Sequence, residues 1–295
     1  MLTIFTIPKA FHGLNEIIQT NAIRSWLALC PQPEIILLGN DEGTAETASR
    51  LRVKHVADIE CNEYGTPLVS SMFSIAQDIA SHPLLSYVNA DIILLSDFLP
   101  AVKQVGLKSF LIIGQRRDLD FTELIDFNSP DWEVNLRKLV EERGKLHPPS
   151  GIDYFVFPRG LYRDIPPFAV GRTAWDNWLV YRARKSRATL IDATSAIMAI
   201  HQNHDYSHHC QGDSGVWKGP EAMRNKELMG SSDKSFDLEY ANLVLTPEGM
   251  KRALSLRRIY FQMRAIPVLN PRLHFLLAFF KALEKTIITV RSKAV

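Results

Sequence analysis

The sequence predicts a mixed α/β fold, a mostly parallel sheet flanked by helices and followed by a helical basic tail, on three observations. Short apolar runs of strand length alternate with longer segments of helical period through the first 115 residues. With 46% hydrophobic and 22% charged residues, the 295-residue chain has the profile of a soluble protein with a sizeable core. Residues 251–295 hold ten Lys and Arg against the single acid Glu284, a net +9 in a chain whose total is +2. Residues 1–250 therefore carry −7, and the tail is a separate electrostatic object.

Taken in order, Leu2 to Ile7 (LTIFTI) reads as a buried strand stopped by Pro8, and Leu14 through Leu29 as a helix closed by Pro31 and Pro33. Glu34 to Leu38 (EIILL) is a second strand that ends in the turn Gly39-Asn40-Asp41-Glu42-Gly43. A short helix over Ala45 to Leu51, a short strand over Val53 to Ala57 and a helix over Leu68 to Ala80 lead into a strand at Tyr87. Ser109 to Gly114 (SFLIIG) is a further strand, and a charged segment, Arg116 to Arg143, precedes the proline-punctuated His147-Pro148-Pro149-Ser150-Gly151. The alternation through Tyr154, Phe155, Val156 and Phe157 is that of a strand. No internal repeat or low-complexity tract interrupts this order.

The N-terminal MLTIFTIPKAF has no basic region followed by a long apolar core, and no run of about 18 apolar residues occurs, so neither secretion nor a membrane span is expected. Cys30, Cys61 and Cys210 are few, odd in number and far apart, which argues against a disulfide framework and a thiolate zinc site and for the cytoplasm. In the tail, Leu273 to Phe280 suits an amphipathic helix on the anionic inner face of a membrane, or a helix that docks on the body with a basic outer face. Its basic residues are interleaved with bulky apolar ones, a pattern that disfavours nucleic acid.

Four unusual clusters fall at strand ends, where ligands collect in doubly wound sheets. They are Thr6-Ile7-Pro8-Lys9, Gly39-Asn40-Asp41, Asn62-Glu63-Tyr64-Gly65-Thr66-Pro67 and Asn89-Ala90-Asp91. Each alone has an ordinary explanation in turn chemistry or helix initiation; their coincidence points to a binding crevice. The last breaks an apolar run that resumes at Ile92-Ile93-Leu94-Leu95. A carboxylate inside a core-like run needs a partner to offset its desolvation, and a divalent cation makes Asp91 the leading metal ligand.

This order of elements, with an Asn-x-Asp variant of the DXD motif after the fourth strand, resembles the GT-A fold of nucleotide-sugar-dependent glycosyltransferases. Segments FTIPK, GIDYFVFPRG, WDNW and HQNHDYSHH are similar to those of bacterial glycosyltransferase-like proteins, and the resemblance covers roughly residues 1–225. It implies one catalytic domain over 1–250, with a nucleotide-sugar-binding half (1–115) and an acceptor half (116–250), and a tail at 251–295. By that analogy Thr6, Pro8 and Asp41 sit near base and ribose, and Thr66, Ser70 and Ser71 line the ribose–diphosphate side. Asn89 and Asp91 belong to the donor site, with Asp91 holding Mn²⁺ or Mg²⁺ on the diphosphate. Asn89 stands where the motif usually has Asp.

Hard cations take oxygen ligands, and imidazole is better tolerated by Mn²⁺ than by Mg²⁺. Four of the nine histidines lie within His201-Gln202-Asn203-His204-Asp205-Tyr206-Ser207-His208-His209. By the family analogy a C-terminal histidine completes the coordination, His201 first and His204 second. A zinc site from His201, His204 or His208 with Asp205 is the rival, but HExxH is absent because position 202 is Gln.

Gly171-Arg172-Thr173-Ala174-Trp175-Asp176-Asn177-Trp178 precedes and opens a helix. An acid between two tryptophans can be a plain helix cap with core aromatics. In a transferase, Trp175 and Trp178 stack on acceptor sugar, Arg172 meets an anion, and Asp176 takes the proton of the attacking hydroxyl, the position of the base in inverting GT-A enzymes. Asp153 is the second catalytic candidate, and Trp217 with Glu221 is placed to close over the donor. The expected function is metal-dependent transfer of a sugar from a nucleoside diphosphate sugar to a glycan or lipid-linked acceptor. Direct displacement implies inversion, although the sequence does not show which face the acceptor approaches. Two alternatives stand beside it. One is an inactive nucleotide- or glycan-binding relative, which Asn89 keeps open; the other is a sugar-phosphate nucleotidyltransferase, disfavoured by the lack of a glycine-rich basic loop after the first strand.

Overall fold

The computed structural model describes residues 1–204, 217–280 and 282. The first half alternates strand and helix: β1 (Leu2–Thr6), α1 (Gly13–Leu27), β2 (Glu34–Leu38), α2 (Thr44–Leu51), β3 (Lys54–Val56), α3 (Val69–Ile79) and β4 (Leu84–Val88). Then come β5 (Ile92–Ile93), α4 (Phe98–Lys103), β6 (Phe110–Ile113), β7 (Arg116–Leu119), α5 (Trp132–Arg143), β8 (Lys145–Leu146) and β9 (Tyr154–Pro158). The remainder holds α6 (Trp175–Lys185), β10 (Thr189–Asp192), β11 (Ala199–Gln202), α7 (Pro220–Met229), β12 (Leu243–Thr246), β13 (Gly249–Arg252) and α8 (Leu256–Leu269).

A nine-stranded sheet runs in the order β13-β12-β10-β6-β9-β4-β1-β2-β3. Strands β3, β2, β1 and β4 are mutually parallel, as the βα alternation predicts, while β9 is antiparallel to both β4 and β6. Successive side chains of each strand feed opposite faces. Phe5 and Tyr87 enter the layer under α3 and α6, whereas Ile4 and Val88 enter the layer under α1 and α4. With both faces covered, β1 and β2 read as continuous apolar runs rather than alternating ones.

The stretch that resembles one interrupted strand is two strands in two sheets. Asn89-Ala90-Asp91 closes a turn, with Ile92 N donating to Asn89 O at 3.1 Å, and the chain leaves the large sheet for a small one of order β5-β11-β7-β8. Ile92 then pairs with His201, and His201 with Asp118. This second sheet accounts for the start of the charged segment, whose later part is the amphipathic α5, covering the small apolar cluster of Ile93, Leu119, Leu136, Val140 and Ile200.

Residues 251–280 differ from the expectation. The main helix is α8, N-capped by Ser255, whereas Leu273 to Phe280 begins as the 3₁₀ turn Pro271–Leu276. Ala265 and Val268 are buried against the body. Arg257 pairs with Glu239 at 3.0 Å, Arg264 with Asp233 at 3.6 Å, and Arg258 with the buried Asp192. No helix among the described residues is long and apolar enough to cross a membrane.

Candidate functional site

The turn after β4 delivers Asp91 to the edge of the small sheet, where β11 presents His201 and the following residues present His204. Asp91 Oδ2 lies 3.1 Å from His204 Nε2 and 3.5 Å from His201 Nε2, and the ligand atoms of the three lie within 4.8 Å of one another. Asp91 Oδ1 is withheld from solvent and accepts no hydrogen bond from a described residue. Burial opposes ionisation of Asp91, but the adjacent His201 and His204 hold its carboxyl well below the usual range. An orphaned carboxylate oxygen beside two imidazoles fits a divalent cation that accepts mixed oxygen and nitrogen ligands.

The turn itself is anchored from behind. Gln202 is completely buried; its Nε2 donates to Ile18 O at 2.9 Å and to Asp91 O at 3.2 Å, and its Oε1 accepts from Asn21 Nδ2 at 2.9 Å. His201 Nδ1 faces Asp118 Oδ1 at 3.4 Å and Asn203 Oδ1 at 3.2 Å, partners that orient the ring so that Nε2 meets Asp91. The zinc alternative's Asp205 and His208 lie outside the described residues.

Asn89 does not join this cluster. Its Nδ2 donates to Asp153 Oδ1 at 2.6 Å and its Oδ1 accepts from Tyr87 Oη at 2.7 Å. Arg116 Nη1 takes the other Asp153 oxygen at 2.7 Å, and Arg116 and His147 both bind Asp118, at 2.8 and 2.7 Å. Both oxygens of the buried Asp153 are thus held, which makes it the anchor of a polar network. The amide at 89 has a physical reason, since a carboxylate there would face Asp153 Oδ1 directly. Asn89→Asp is therefore expected to destabilise the fold by about 2 kcal/mol without tightening Mn²⁺ binding, as thermal melts and Mn²⁺ titration would show.

On the other side of Tyr87, Ala174 (φ 86°) turns the chain into α6, and Asp176 sits in the first turn with Oδ1 accepting from Asn177 N at 2.8 Å. Burial, reinforced by the nearby Asp153 charge, pushes the Asp176 carboxyl up to about 6. Burial and then the charges of Asp91, Asp153 and Asp176 all raise the Tyr87 phenol, so all three carboxylates lie within electrostatic reach of it. The tryptophans correct the sequence reading. Trp175 packs against Tyr87 at 5.5 Å and Phe155 at 6.0 Å, and Trp178 against Phe168 at 5.4 Å, so both indoles are core rather than sugar platforms.

Of the expected donor residues, Asp41 is exposed at the end of β2, and Pro8 is buried after β1. Thr6 is wholly buried and cannot offer its hydroxyl to a ligand; Ser71 is buried and spends its hydroxyl on Glu60 N at 3.0 Å. Ser70 lines two adjoining clefts of about 370 and about 670 Å³ along α3, neither of which contains Asp91, Asp153 or Asp176. Arg172 is held by Glu221 at 2.6 Å, and the same carboxylate binds Asn62 Nδ2 at 2.7 Å and Thr66, so α7 ties the 62–66 turn to the approach of α6. Trp217 is half exposed.

Asn225 of α7 fixes that approach. Fully buried, it accepts from Ala169 N at 2.9 Å and donates to Ala169 O and Thr173 O at 3.0 and 3.1 Å. Asn225→Ala strands these groups, and a loss of about 2–4 kcal/mol in denaturant unfolding is expected. The member of the Thr6-Ile7-Pro8-Lys9 cluster to which the sequence assigns no role is Lys9. Burial lowers its basicity, with Asp91 raising and Arg172 lowering it further, so the ammonium lies within electrostatic reach of both halves of the site. Its signal was its place directly after Thr6-Ile7-Pro8 at a strand end.

No protein-family profile matches the chain, and no curated protein matches it in sequence. In structure it is similar to S. aureus TarS, with a TM-score of 0.51 and 11% identity over 80% of this chain and 40% of that one. A shorter TarS structure, residues 1–349, gives a TM-score of 0.42 and 10% identity over 68% of this chain and 57% of that one. The mannosyltransferase PcManGT from Pyrobaculum calidifontis, in complex with GDP-Man and Mn²⁺, gives 0.44 and 12% identity over 71% and 59%. This chain therefore spans about half the length of the solved proteins it resembles, and what it shares with TarS is the fold, a GT-A-like sheet flanked by helices.

Proposed function

We propose that the protein is a metal-dependent glycosyltransferase that moves a sugar from a nucleoside diphosphate sugar to a glycan or lipid-linked hydroxyl with inversion. The observation that carries this reading is the cluster of Asp91, with its orphaned oxygen, and the imidazoles of His201 and His204 beyond a strand end of a GT-A-like sheet, with Asp176 in the first turn of α6 within electrostatic reach of the same Tyr87.

Asp91, His201 and His204 would hold the cation, Mn²⁺ in preference to Mg²⁺ because two of three ligands are nitrogens. A cation so bound supplies charge neutralisation to the departing diphosphate. Lys9 adds a positive charge on the same side, and its partial desolvation strengthens its attraction for phosphate oxygens. Asp176 takes the proton of the acceptor hydroxyl as that oxygen forms its bond to the anomeric carbon and the bond from that carbon to the diphosphate oxygen breaks. A carboxyl held near 6 is ionised at neutral pH and still basic enough for this role. Calorimetric titration with UDP and GDP, each with and without Mn²⁺, tests the reading. Metal-dependent binding of one nucleotide is expected, and absence of binding under every condition would overturn it.

A further inference from the structure

The outer face of α8 is apolar although its inner face already packs on the body. Leu256, Ile259, Met263 and Ile266 fall within an arc of roughly 80° at 3.6 residues per turn. They are exposed, Leu256 by 87%, and Phe275 and Phe279, in the segment that returns along α8 to set Phe280 against Tyr260, are exposed by 73% and 64%. Arg258 and Arg264 are turned to acids of the body, and Arg257 pairs with Glu239 while keeping most of its side chain in solvent. They lock the helix in place with its apolar side outward. Scattered exposed apolar residues are ordinary; four on one arc of a helix, with two exposed phenylalanines in the segment that follows, are not.

Charge identifies the occupant. Lys251 and Arg252 just before α8 and Arg272 just after it are exposed, and the sequence continues with Lys281, Lys285, Arg291 and Lys293 against Glu284 alone. A row of aliphatic and aromatic side chains bordered by cations, on a helix unable to cross a bilayer, has the chemistry of an element lying in an anionic interface. We infer that the outer face of α8, with Phe275 and Phe279, seats the protein on an anionic lipid surface. The inference goes beyond the glycosyl-transfer reading and does not depend on it, since vesicle binding is measured without donor or acceptor.

The test is flotation of the full-length chain with vesicles of phosphatidylglycerol and phosphatidylcholine against phosphatidylcholine alone. Binding to the anionic vesicles that weakens as salt is raised is expected. The triple variant Ile259→Ser, Met263→Ser, Ile266→Ser should lower the partition coefficient by at least about tenfold, and Leu256→Ser, at a side chain 87% exposed, should lower it while leaving the melting temperature unchanged. Arg252→Gln with Arg272→Gln should weaken binding to anionic vesicles alone. No vesicle binding together with a concentration-dependent dimer abolished by the triple variant would overturn the inference in favour of a second copy. Neither vesicle binding nor dimer would overturn it as well, and equal binding of the triple variant would move the contact off α8.

Discussion

Asp176→Asn is expected to lower kcat by about 10²–10⁴-fold while leaving nucleotide-sugar affinity nearly unchanged, because the amide keeps the shape of the side chain and loses only its ability to take a proton. The same change should raise stability at neutral pH. The Asp176 carboxyl is held near 6 by burial, so the folded state binds a proton that the unfolded chain, with its ordinary carboxyl near 4, has already released. Folding stability from this group therefore falls as pH rises through the window from about 4 to about 6 and stays lower above it. Removing the charge recovers on the order of 1–3 kcal/mol at pH 7. Turnover of the wild-type enzyme should show the opposite trend, rising with pH to a plateau above about 6 as the base form is populated. Full turnover by the variant, or an unchanged acid limb in its pH profile, would remove Asp176 from the role of base.

Asp91→Ala is expected to abolish metal-dependent nucleotide binding, raising the Kd for Mn²⁺ by more than about 100-fold, since even loss of a group behind a ligand costs 10- to 100-fold. Calorimetry with Mn²⁺ alone and then with nucleotide separates the two effects. Asp91 is the only carboxylate among the three clustered ligands, and its second oxygen has no other described partner. The other nearby acid, Asp153, has both of its oxygens already held by Asn89 and Arg116. His201→Asn and His204→Asn should each weaken Mn²⁺ more than Mg²⁺, as expected for lost nitrogen ligands. Unchanged nucleotide affinity in Asp91→Ala would sink the metal assignment.

By itself the sequence determined the βα alternation of the first half, the strand at Tyr154–Phe157 and the polar breaks at strand ends, because these follow from local apolar period and from turn chemistry. It also singled out Asp91, His201, His204 and Asp176, each an ionisable group beside an apolar run, where a charge demands a reason. Only the tertiary structure decided what those residues meet. Asn89 looked like a donor ligand and is instead the hydrogen-bond bridge between Tyr87 and Asp153; Trp175 and Trp178 looked like sugar platforms and fill the layer under α6. Lys9 became part of the site only when the end of β1 was laid beside the turn after β4. Periodicity reports which face of an element is apolar, but a side chain's partners come largely from segments distant in the sequence. The 113-residue reach from Asp91 to His204 is closed by sheet pairing between β5 and β11, a contact that no local pattern encodes.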